Sequence, residues 1–201
     1  MNCKKELPGP FREGIEALLK VLDPEDNSTG GGTASAVAGA MAAALVAMVA
    51  RLSLGRPGME PEEFYASLTR EAEDLARQLM QGAREDAMAF DAVMAAYRMP
   101  KEDEEEQQSQ RQAIGKALEE ATRVPLKNAR ACARLLGFCE MLEGRFNPHA
   151  SSDFHCARHL ARAALKGCLE NVRTNLPGLV DLDGAEVVRR EAEALEQEFA
   201  S

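Results

Sequence analysis

Ser28-Thr-Gly-Gly-Gly-Thr-Ala-Ser-Ala-Val-Ala-Gly-Ala-Met-Ala-Ala-Ala-Leu-Val-Ala-Met-Val-Ala-Arg-Leu-Ser-Leu-Gly55 decides how this chain folds. A triple glycine opens it, threonine and serine stand beside it as helix caps, and between Ala34 and Ala50 the only polar side chain is Ser35. A helix that is apolar on every side has no solvent face and has to be enclosed by other helices or by lipid. The run is just short of a membrane span. It is mostly alanine and glycine, which gain little from hydrocarbon but let neighbouring helices come close. The composition therefore predicts a central helix enclosed by protein. Gly30, Gly31 and Gly32 leave backbone N–H groups unshielded at the positive end of that helix, a place that suits an anion. They match neither the dinucleotide-binding nor the lysine-bearing phosphate-loop spacing, and a flexible capped turn is the competing reading.

The chain has 201 residues, enough for one domain spanning 1–201 with a sizeable core and a tight fit for two. Lys and Arg number 24 against 33 Asp and Glu, a formal charge of −9 that disfavours nonspecific contact with nucleic acid or anionic membrane. An anionic small molecule would need a local basic pocket. The first residues carry positive charge with no apolar stretch behind them, which argues against a secretory signal and for a cytoplasmic protein. Cys3, Cys132, Cys139, Cys156 and Cys168 are odd in number and form no Cys-x-x-Cys pair, so most are expected as buried thiols on helices.

Apolar residues recur at helical spacing in every remaining segment. Phe11, Ile15, Leu18 and Leu22 mark a first helix. Pro61, Glu62 and Glu63 start a long one whose stripe runs Phe64, Leu68, Leu75, Leu79, Ala83, Ala87, Phe90, Met94 and Tyr97. Met99-Pro100 ends it, and the acid-rich stretch at 102–106 reads as the solvated start of the next helix. Pro125 is expected to kink that helix or start a fresh one. Ser151, Ser152 and Asp153 offer N-caps to a helix that closes at Asn175-Leu-Pro-Gly178, and a last amphipathic helix begins near Gly184. The sum is an all-α, single-domain bundle of about six to seven helices around the Ala/Gly-rich central one.

Four segments together resemble the cyclodeaminase domain of the formiminotransferase-cyclodeaminase family. They are the glycine-rich stretch 30–49, the motif 85–101 (Glu-Asp-Ala-Met-Ala-Phe-Asp-Ala-Val-Met-Ala-Ala-Tyr-Arg-Met-Pro-Lys), the turn Asn147-Pro-His-Ala-Ser-Ser-Asp153, and Asn171-Val-Arg-Thr-Asn-Leu-Pro-Gly178. The resemblance implies an all-helical domain that dimerises and acts on a tetrahydrofolate one-carbon derivative without metal or redox cofactor. Two chemistries occur in the family. One closes 5-formiminotetrahydrofolate to the 5,10-methenyl form with loss of ammonia; the other hydrolyses the methenyl bridge to 10-formyltetrahydrofolate. Thr33 replaces the usual serine and keeps its hydroxyl. Arg51 stands near a usual asparagine, and Arg56-Pro-Gly-Met-Glu60 replaces a run of lysines that would grip a polyanionic folate tail. A non-catalytic folate-binding or regulatory protein of the same fold is the alternative that this loss favours.

Both reactions need a base and an acid, and carboxylates tuned by burial fill either role. Asp86 and Asp153 are the candidate catalytic carboxylates. Asp91 lies about 140° around the helix from Asp86 and faces elsewhere. Gly30, Gly31, Gly32 and Thr33 offer donors to the substrate, Lys101 and Arg111 offer charge to its glutamate carboxylate, and Asn147, Ser152, Asp153 and Asn175 can read the pterin amide. Lys101 and Arg111 read equally as solvated surface residues, and Ser152 and Asp153 as helix caps. His155 and His159, one turn apart near Cys156, Asp153 and His149, have a zinc-compatible spacing but lack the Glu of the metalloprotease signature, and no metal site is expected.

Overall fold

A computed structural model of the chain describes residues 29–199 together with Lys20 and Leu22. Among the described residues there are five α-helices and no strand: α1 (Gly31–Ser53), α2 (Glu62–Tyr97), α3 (Glu104–Leu142), α4 (Ser151–Asn175) and α5 (Leu182–Glu198). Short 3-10 turns at Pro148–Ala150 and Leu176–Gly178 bracket α4. The all-α expectation holds; the described residues hold five complete helices, against the six or seven expected for the whole chain. The helix read over 11–22 and Cys3 fall outside the described residues, apart from Lys20 and Leu22.

One expected helix boundary is corrected by the structure. Pro125 sits inside α3, which runs unbroken for 39 residues. Proline has no N–H to give the carbonyl four residues back, so the carbonyl of Ala121 loses its helical partner. Asn175, at the end of α4, donates its side-chain amide to that oxygen at 2.7 Å. A neighbouring helix thus fills the gap that the proline opens, and the chain has no need to break there.

Local chemistry sets the other ends largely as read. Asp103 caps α3 by accepting from the Glu106 amide. Gly55 and Gly58, with φ of +69° and +79°, turn the chain between α1 and α2 in a region that favours glycine. At the start of α4 the expected caps are not used. Ser151, Ser152 and Asp153 already lie in its first turn, and α4 has no side-chain cap. Asn147 instead accepts from the His149 amide at 3.1 Å and organises the 3-10 turn that leads into the helix.

The long helices form a bundle in which α1 runs between α2 and α4. Gly39 touches all three of its neighbours: a Cβ there would stand 2.9 Å from Cys132 Sγ on α3, 3.2 Å from Leu79 on α2 and 3.4 Å from Ala164 on α4. Small residues on α1 are what allow so close an approach. Cys132, Cys139 and Cys168 are buried free thiols and Cys156 is exposed. Burial among apolar neighbours pushes the Cys139 thiol up to about 12. By length and composition alone α1 could cross a membrane, yet 56% of its apolar window is buried within this bundle. Enclosure is incomplete all the same. Ala34, Met41 and Ala44 face outward, with Val37, Ala38, Leu45 and Met48 half-buried beside them. The expectation of a helix covered on every side is not met within one chain. The second half of α2 and the first half of α3 continue past the N-terminus of α1. Phe90 and Tyr97 are therefore exposed on a stripe that was expected to be buried.

Candidate active site

Gly30 precedes α1 with no side chain to cap the helix, so the first amides of α1 need a partner from elsewhere. Asp86, on the middle of α2, stands there. The Thr33 hydroxyl donates to Asp86 Oδ2 at 2.8 Å. The carboxylate sits so close to the α1 backbone that a Cβ on Gly32 would lie 2.4 Å from Oδ1 and 2.7 Å from Oδ2. Gly32 is therefore a steric requirement of this contact rather than a hinge. On the other flank a Cβ on Gly31 would be 3.5 Å from the side-chain amide of Asn171, on α4. Asn171 gives that amide to the Gly167 carbonyl at 2.9 Å, and Ser35 packs against Gly167 where any side chain would collide. Three helices thus meet at the first turn of α1, where Gly30 and Gly31 are exposed.

The electrostatics of Asp86 are a contest with a resolved sign. Burial disfavours its charge and raises its pKa above the ordinary 3.8, while the Thr33 hydroxyl and amide pull the other way and only partly offset it. A half-buried carboxyl held at one edge beside the exposed backbone of Gly30 and Gly31 can accept a proton from a bound molecule and return it to another atom of that molecule.

The other residues singled out from the sequence do not join Asp86 within one chain. Asn147 donates to the Leu52 carbonyl at 3.1 Å, and its backbone amide donates to the Ser53 hydroxyl at 2.8 Å. Those partners end α1, about 30 Å from Gly31 at 1.5 Å per residue. Ser152 and Asp153 lie in the first turn of α4, at that same far end. Lys101 and Arg111 are exposed on the projecting α2–α3 hairpin. Lys101 follows Asp86 by fifteen residues, about 20 Å along the helix and the turn after it. Asn175 lies on the Asp86 side of the bundle, but its amide is engaged by the carbonyl that Pro125 frees. Asp91 is exposed, as its offset from Asp86 requires. Among the described residues no three His, Cys, Asp or Glu side chains converge as a metal site would need.

Two residues near Asp86 escaped the reading of the sequence. Asn171 was quoted only as part of a motif; its place opposite Gly31 needs the packing of α4 on α1. Asn128, on α3, is wholly buried with both amide atoms unpaired, and it presses on Gly82 one turn below Asp86. A lone asparagine in an otherwise ordinary helical stripe gives no signal of that kind.

A family model described as formiminotransferase-cyclodeaminase matches residues 14–194. The chain belongs to this family. A methenyltetrahydrofolate cyclohydrolase from Methylorubrum extorquens is 38% identical over 184 residues, which is 91% of this chain and 88% of that protein. A formimidoyltransferase-cyclodeaminase from Rattus norvegicus is 28% identical over 92% of this chain, which spans only 34% of that longer protein. The crystal structure of a formiminotetrahydrofolate cyclodeaminase from Thermotoga maritima superposes with a TM-score of 0.80 at 28% identity, covering 92% of this chain and 88% of that one. The family resemblance read from the four motifs therefore holds across nearly the whole chain, and so does the helical fold that it implied.

Proposed function

We propose that this chain is a folate one-carbon enzyme that hydrolyses the 5,10-methenyl bridge of tetrahydrofolate to the 10-formyl form by general acid–base catalysis. The observation that carries the reading is Asp86: a half-buried carboxyl of raised pKa, held by Thr33 against the glycine-rich first turn of α1. As carboxylate, it takes a proton from water as the water oxygen bonds to the bridge carbon. The tetrahedral adduct then collapses with cleavage of the carbon–N5 bond. One proton ends on N5, the second is released, and N10 keeps the formyl group. The amides at Gly30–Thr33 and the polar flank at Asn171 would bind the pterin or the adduct oxygen.

Closure of 5-formiminotetrahydrofolate is the second reading, favoured by the likeness in fold to the Thermotoga protein. There Asp86 would take the proton of N10 as N10 bonds to the formimino carbon, and would return it to the departing amine. Both reactions keep the carbon at one oxidation level, so the reading asks for no redox cofactor, and proton transfer alone suffices without a metal. The cyclohydrolase is placed first because its relative is more similar and matches almost end to end.

The proposal includes a cytoplasmic homodimer. The exposed apolar face of α1 supports the dimer, since contiguous apolar surface on a helix of this length calls for a cover. The share of that helix buried within the bundle supports a core role rather than a membrane one.

Ultraviolet absorbance of the methenyl chromophore tests the function. Purified protein is mixed separately with 5,10-methenyl- and 5-formiminotetrahydrofolate against a no-enzyme control. Accelerated loss of the chromophore is the expected result with the first, and accelerated appearance with the second would identify the deaminase. No change with either substrate overturns the enzyme reading.

A further inference from the structure

The apolar stripe of α2 changes character at Asp86. Leu68, Leu75, Leu79 and Ala83 are buried before it, whereas Phe90, one turn after it, is 38% exposed and makes no ring contact among the described residues. The packing of α1 on α2 accounts for this. A Cβ on Gly39 would meet Leu79 and one on Gly32 would meet Asp86, so seven residues back along α1 match seven forward along α2, and the two helices run antiparallel in step. Four residues beyond Asp86, Phe90 comes level with Thr29, ahead of the point where α1 begins at Gly31. The helix that buries the rest of the stripe stops short of Phe90, and the backbone beside it at Gly30 and Gly31 is exposed.

We propose that Phe90 is the stacking platform for the pterin of the substrate, which seats the one-carbon bridge between N5 and N10 over Asp86. This rests on reading Asp86 as the acid–base group of a folate enzyme. Four residues advance a helix by about 6 Å and turn it about 40° past a full circle, so the two side chains share one face. Side chains on a helix lean towards its N-terminus, so the Phe90 ring covers the turn that holds Asp86. Ring and carboxyl therefore border the same patch of surface, with the glycine backbone of α1 along its side. The other exposed apolar side chains of α2 do not reach it. Met88 is offset from Asp86 by two residues, about 200° around the helix, and Tyr97 lies about 16 Å further along.

The chemistry of such a patch selects a flat ligand with a polar edge and a positive centre. The pyrimidinone half of a pterin is flat, and its amide edge can meet the exposed backbone at Gly30 and Gly31. The 5,10-methenyl bridge carries one positive charge shared between N5 and N10, and a protonated formimino group is likewise a cation. An aromatic face attracts a cation, and so does the Asp86 carboxylate beside it. The 10-formyl product has no such charge. Phe90 thus holds substrate in preference to product and takes no part in proton transfer, which assigns it to binding and positioning.

Substitutions at Phe90 in the full chain test this. Phe90→Ala is expected to raise KM for 5,10-methenyltetrahydrofolate about tenfold while kcat changes less than about threefold. Phe90→Tyr keeps the aromatic face and should stay near wild type. Phe90→Leu, of similar bulk without that face, should resemble Phe90→Ala. An unchanged KM in Phe90→Ala would mean no contact with substrate, and Phe90→Leu equal to Phe90→Tyr would mean an apolar cover only; either result overturns the proposal. Met88→Ala, on the opposite face, is the control and should keep the wild-type KM.

A second measurement does not depend on turnover. The chain has no tryptophan, so Phe90→Trp introduces a single fluorescent reporter. Tetrahydrofolate has no bridge to hydrolyse and absorbs mostly below tryptophan emission, so it quenches by contact. It should remove most of the emission of Phe90→Trp and leave that of Val187→Trp, exposed on α5, nearly unchanged. Equal quenching at both positions, or none at Phe90→Trp, overturns the stacking. Quenching confined to Phe90→Trp in a protein that turns over neither folate would instead defeat the function proposed above and uphold the platform.

Discussion

Gly32→Ala isolates the contact on which the site depends. In an unstrained helical position an alanine is worth about 1 kcal/mol more than glycine. Here the new methyl would stand 2.4, 2.7 and 2.8 Å from Oδ1, Oδ2 and Cγ of Asp86, a carboxylate held by Thr33 rather than the free end of a flexible chain. To make room the carboxyl has to withdraw by about 1 Å, to an ordinary contact distance near 3.5 Å. That breaks its bond to the Thr33 hydroxyl, and a hydrogen bond to a charged group is worth about 1.5–3 kcal/mol. Set against the propensity gain, the net loss is about 0.5–2 kcal/mol, or roughly 1–8 °C in Tm for a chain of this size. The larger effect falls on turnover. Displacing an acid–base group by 1 Å costs on the order of 100-fold. The control is Gly137→Ala, on α3, where a Cβ meets nothing within 4 Å. That variant should gain slightly in Tm and keep its kcat. The two are compared by thermal circular dichroism and by the methenyl absorbance assay. A Gly32→Ala protein with wild-type kcat and a raised Tm, like the control, would refute the argument.

Asp86→Asn should lower kcat at least tenfold, and rates equal to wild type would remove Asp86 from the mechanism. Because the folded pKa of Asp86 is raised above 3.8, the folded state holds this proton more tightly than the unfolded chain. Its stabilising contribution is therefore complete below 3.8 and declines as pH rises through the folded value. Denaturant titrations across that range should show the wild type losing stability relative to Asp86→Asn, and the opposite slope would contradict the assigned sign. Asn175→Ala should cost about 1 kcal/mol by leaving the Ala121 carbonyl unpaired, and much less in a Pro125→Ala background, where the restored N–H takes over; an additive double-mutant cycle would break the link between them. Gly82→Ala would place a Cβ 1.9 Å from Asn128 Oδ1 in a fully buried layer, so urea unfolding should show a loss of about 1–3 kcal/mol, and a neutral result would mean that Asn128 can move.

The amino-acid sequence by itself determined the all-helical class and most helix limits, and it singled out residues 30–33 and Asp86, of which Gly32 and Thr33 touch Asp86 in the structure. These are local properties: periodicity, prolines and glycines at the ends, and motifs whose order survives along a chain. What it could not convey was which motifs share a place. Asn147 and Asp153 look like neighbours of Asp86 when motifs are merely collected, yet the length of α1 holds them at the opposite end of the bundle. Pro125 reads as a break until Asn175 arrives from another helix to satisfy the orphaned carbonyl. Gly32 reads as flexibility until a carboxylate from α2 is found pressed against it. Each of these was decided by the tertiary structure because each depends on a contact between residues some fifty or more positions apart, and helix packing, not local preference, sets which atoms meet at that range.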